Sequence, residues 1–85
     1  MGNKKEAAII DVRFIHSIFR HALIFKTFED LTPGQFFLLI NDHDPASLHQ
    51  KFVVKHPDLF AWEYVQQGPE IWKVHIKKIL TRTAA

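Results

Sequence analysis

The sequence predicts an α/β fold, an α+β two-layer sandwich of order β-α-β-α-β-β, with two helices packed on one face of a four-stranded mixed sheet. Three observations lead there. Apolar and polar residues alternate near the start and through the last third of the chain. Two intervening stretches carry apolar residues at helical spacing. Proline, glycine, asparagine and aspartate cluster between the segments, where the chain must turn.

Taken in order, Ala8 to Arg13 sets Ile10 and Val12 against Asp11 and Arg13 and reads as the first strand. Ser17 offers an N-cap hydroxyl to a first helix whose inward stripe is Ile24, Phe25, Phe28 and Leu31. Thr32-Pro33-Gly34 stops it, because proline cannot continue a helix and glycine accepts a left-handed turn. Gln35 to Ile40 is almost wholly apolar, as a central strand should be. Asp44 as N-cap and Pro45 as first helical residue then start a second helix that runs to Lys55, with Leu48 and Phe52 inward. His56-Pro57 closes it, since the residue before proline avoids helical angles. Phe60 to Gln66 and Ile71 to Ile79 alternate again around the turn Gln67-Gly68-Pro69. The face opposite the helices carries Asp11, Glu63, Lys73 and His75 and is expected to be wet or open to a partner.

Eighty-five residues, 47% of them hydrophobic, make one globular domain, 1–85, with a core over about 8–79 and flexible ends at 1–6 and 81–85. The chain has no cysteine, so disulfides, thiolate nucleophiles and cysteine-ligated metals are excluded. Asp11 and Arg13 interrupt the apolar run after Ala7, which leaves no signal-peptide core, and no stretch approaches the length of a membrane span. A cytoplasmic protein with no membrane partner is expected. The net charge of +2 is small, and Lys73, Lys77, Lys78 and Arg82 lack the interleaved exposed aromatics of a nucleic-acid surface. Nucleic acid is therefore not expected as a partner.

Functional suspicion falls on Asn41-Asp42-His43-Asp44-Pro45, an imidazole between two carboxylates at a strand-to-helix junction. Right-handed crossover makes the first two strands parallel, so their carboxyl ends and both helix N-termini share one edge. That edge gathers Arg20 and His21 with Asp42, His43 and Asp44, the expected ligand-binding set. Cations in a first helical turn oppose the helix dipole and ask for a compensating anion, either bound or supplied by Asp42. The expected function is a non-enzymatic accessory domain that binds a small anion or metabolite there. One alternative is a metal site for zinc or iron using His21 and His43 with a nearby aspartate. Another is an interaction module working through the open sheet face. Ser17 and Ser47 lack any nucleophile context, and no catalytic residue is assigned. His49, His56 and His75 are expected to be solvated, and Trp62, Tyr64 and Trp72 to belong to the core.

Arg20-His21, Leu31-Thr32-Pro33-Gly34, Asn41-Asp42-His43-Asp44-Pro45 with Leu48, Phe60-Ala61-Trp62-Glu63-Tyr64 and Gly68-Pro69-Glu70-Ile71-Trp72 together resemble a small bacterial family, domain of unknown function 2249. The resemblance runs from about Asp11 to Lys78. It implies a fold similar to the TusA-like sulfur carriers, and relatives that stand alone or are joined to hemerythrin-like domains in nitrogen-oxide or redox metabolism. It would make a hemerythrin-like domain a possible protein partner. The sulfur carriers use a Cys-Pro motif before the first helix; this chain has Phe19-Arg20-His21 in that neighbourhood and no cysteine, so persulfide transfer is excluded. Family members tend to place Pro and Glu before the Arg-His pair, where Ile18-Phe19 stand here, so a glutamate ligand or cap is missing.

Overall fold

The computed structural model describes residues 5–79 and has the expected order: β1 (Glu6–Asp11), α1 (Ser17–Glu29), β2 (Phe36–Asn41), α2 (Ala46–Lys55), β3 (Phe60–Gln67) and β4 (Trp72–Lys78). Of the end segments expected to be flexible, 1–4 and 81–85 lie outside the described residues, as does Arg82, whereas Glu6 opens β1. The sheet runs β1-β2-β4-β3, with β1 parallel to β2 and the other two pairings antiparallel. No helix among the described residues is long and apolar enough to cross a membrane.

Both helices cover one face because their apolar stripes have nowhere else to go. Ile24, Phe25 and Phe28 of α1 and Leu48 and Phe52 of α2 are buried against Val12, Phe37, Leu39, Val74 and Ile76 of the sheet. Phe52 is the centre of an aromatic cluster, stacked on Phe25 at 4.5 Å and edge-on to Phe28 at 5.1 Å between ring centroids. Phe60 and Trp62 close its flank. His56, expected to be solvated, is drawn into this cluster instead, 4.9 Å from the Phe28 ring, with its Nε2 3.5 Å from Glu29 Oε2. His49 likewise lies over Trp62 at 4.6 Å. In both cases the imidazole is flat enough to extend an aromatic stack, and neighbouring rings outcompete water for it.

Helix ends depart from the simplest reading. His16, not Ser17, caps α1, its Nδ1 accepting from Ile18 N–H at 3.3 Å. The end of α1 is tied by Lys78, whose Nζ donates to the Glu29 carbonyl at 2.9 Å and lies over the Phe28 ring. That is the favourable place for a cation on a helix. Gly34 takes a φ of 94° in the turn after α1, as the Pro-Gly pair predicts. The expected cap of α2 is corrected: Asp44 lies outside the helix, Pro45 occupies the cap position, and no side chain caps this end. The Asp44 carboxylate is engaged elsewhere, accepting from the Tyr64 hydroxyl at 2.8 Å.

The open face is less wet than expected. Directly opposed residues of antiparallel strands share a face. The pairs Leu38 with His75 and Ile40 with Lys73 therefore put apolar β2 side chains beside polar β4 ones. His75 is pressed edge-on to Phe36 at 4.7 Å and reaches Glu63 at 3.7 Å, so it is only partly solvated.

Candidate functional site

Parallel pairing of β1 and β2 brings the β1–α1 and β2–α2 junctions to one edge of the sheet. Arg20 joins them. Its Nε donates to the Ile15 carbonyl at 2.8 Å, and its Nη2 to the Arg13 carbonyl at 3.2 Å. Nη1 donates to Asn41 Oδ1 and to Asp42 Oδ1, both at 3.1 Å, and Nη2 also meets Asp42 Oδ2 at 3.3 Å. A guanidinium has five N–H donors, and each has an acceptor here. Three of those acceptors belong to the backbone or to the buried Asn41, so the group is built into the scaffold.

Asn41 is the only buried polar side chain among the described residues, and it is satisfied twice over. Besides Arg20, its Oδ1 accepts from Asp42 N–H at 2.8 Å. The same frame fixes Asp42, whose carboxyl is pulled down to about 2, first by Arg20 and then by His43. His43 Nδ1 stands 2.7 Å from Asp42 Oδ1. A carboxylate can only accept, so Nδ1 carries a proton in this contact, and the contact fixes the orientation of the ring. The His43 side chain is 64% exposed. Arg20 thus holds Asp42, and Asp42 holds His43.

His21 points along a different line. It lines a groove between α1 and α2 together with Phe25, Gln50, Lys51, Val54 and Lys55, a space of about 480 Å³. Burial pushes its imidazole pKa down, and Lys51 and His43 push it further. The five expected residues therefore divide. Arg20, Asp42 and His43 form one connected cluster, His21 approaches it through His43, and Asp44 turns away to Tyr64. Among the described residues, no group of three or more His, Asp or Glu converges as a metal could require. Lys51 escaped the sequence reading; its signal was its place one helical turn after Ser47, facing the first helix.

A family described as an uncharacterized conserved protein, DUF2249, matches residues 9–78, which take in the second half of β1, the other three strands and both helices. The chain belongs to the DUF2249 family. No curated protein and no solved structure matches this DUF2249 chain. The motifs that carry the resemblance fall where the fold needs them: Arg20-His21 on α1, Asn41 to Pro45 at the β2–α2 junction, and Gly68-Pro69 in the β3–β4 turn.

Proposed function

We propose that this domain is a non-enzymatic accessory protein of the bacterial cytoplasm that binds a small anion at the start of α2, with His43 as the group that meets it. The observation carrying this reading is the complete internal use of Arg20, which makes the arginine a support and leaves His43 as the exposed, oriented member of the cluster. The end of α2 beside it has no side-chain cap, and free N–H groups at a helix start are ready donors to an anion. Asp42 is already matched by Arg20, so it sets the orientation of His43 without adding an uncompensated negative charge.

Nuclear magnetic resonance titration with phosphate, sulfate and nitrite tests the reading. The amides of Ala46, Ser47 and Leu48 and the His43 imidazole should shift together and saturate, and the response should weaken in His43→Ala. Unmoved amides at millimolar anion, or shifts that His43→Ala leaves unchanged, would overturn it.

A further inference from the structure

We infer that the groove between α1 and α2 takes the apolar body of an organic monocarboxylate, so that the anion sought by this domain is amphipathic. This rests on the anion-binding reading and names its ligand class. The groove's volume, about 480 Å³, falls within the range of small-ligand sites. Its floor is the Phe25 ring, 8% exposed, and its wall is Val54, 81% exposed and the more exposed of the two valines on a helix that buries Leu48 and Phe52.

The charges around that surface are one-sided. His21, Lys51 and Lys55 line it, and His43 is close enough to His21 to act on its protonation. The two lysines are not equivalent. Lys55 Nζ lies over the Phe25 ring at 4.5 Å and 3.9 Å from Glu29 Oε2, so it is already partly neutralised. Lys51 has no ion-pair partner among the described residues. A carboxylate is therefore directed to the Lys51 and His21 end, and its hydrocarbon to Phe25 and Val54, while Glu29 repels the opposite orientation. Inorganic anions satisfy only the first half of this arrangement. His21, held toward its neutral form by burial, by Lys51 and by His43, would gain a proton when a carboxylate arrives.

The test is a calorimetric series of acetate, butyrate, hexanoate and octanoate against the full chain, with octanol as the uncharged control and phosphate as the probe of the α2 start. Affinity should rise about two- to fourfold per methylene, the upper figure corresponding to full burial of each CH2. Octanol should bind at least tenfold more weakly than octanoate. Val54→Asp, at an exposed position that leaves folding intact, should abolish octanoate binding and spare phosphate; Lys51→Ala should weaken octanoate and keep the chain-length trend. Affinity independent of chain length, octanol as tight as octanoate, or octanoate unaffected by Val54→Asp would overturn the inference even if phosphate still binds. Chain-length-dependent binding without any phosphate response would support the groove and remove the inorganic-anion reading alone.

Discussion

The guanidinium of Arg20 meets both carboxylate oxygens of Asp42, Nη1 to Oδ1 at 3.1 Å and Nη2 to Oδ2 at 3.3 Å, across 22 positions of sequence. A fork-to-fork pair of this kind fixes direction as well as charge. It is the tie by which the first helix controls the junction before the second.

Arg20→Ala should lower stability by about 2–3 kcal/mol, because it strands two carbonyls and Asp42 and takes one of its two donors from Asn41 Oδ1. The Asp42 side chain is 44% exposed, so water offsets part of that loss. Arg20→Lys should recover less than half, since an ammonium has three donors and no planar fork. Urea denaturation of the three proteins at neutral pH checks the order.

Acid should act through the same carboxylate. The Asp42 pKa is lowered on folding from 3.8 to about 2, so protonation favours the unfolded chain. Its contribution is present in full above about pH 4 and is lost as pH falls toward about 2. Asp11, lowered by its hydrogen bonds from Arg13, adds a smaller loss in the same window. Asp42→Asn should therefore flatten the fall in urea midpoint between pH 4 and pH 2 without removing it, and salt should weaken the difference.

At the β3–β4 turn, Gly68 has a φ of 62°, and a Cβ there would stand 2.8 Å from Trp72 Cζ2. Gly68→Ala should cost about 1–3 kcal/mol, since left-handed backbone and a ring contact are strained together. Thermal unfolding followed by tryptophan fluorescence should show a lower midpoint and an altered native spectrum. An unchanged midpoint would mean that the hairpin gives way without cost.

Legibility in the sequence followed how local the cause was. Phe28 and Phe52 were readable as inward because helical spacing alone assigns a face. Arg20 and Asp42 were readable as neighbours because parallel β1 and β2 must end on one edge. The cap at His16 was missed because imidazole is a rarer cap than the serine beside it. Asp44 was misassigned as a cap because nothing local announces that Tyr64, on β3, reaches its carboxylate first.

The sequence by itself determined the six elements, their order, their turns and the inward face of each, all of which follow from backbone preferences and spacing over a few residues. Only the tertiary structure decided that β4 lies between β2 and β3, that every Arg20 donor is used internally, and that His21 and Lys51 flank one groove. Those outcomes depend on strand register and on which distant acceptor is nearest, and a hydrogen bond decides such competitions within a few tenths of an ångström.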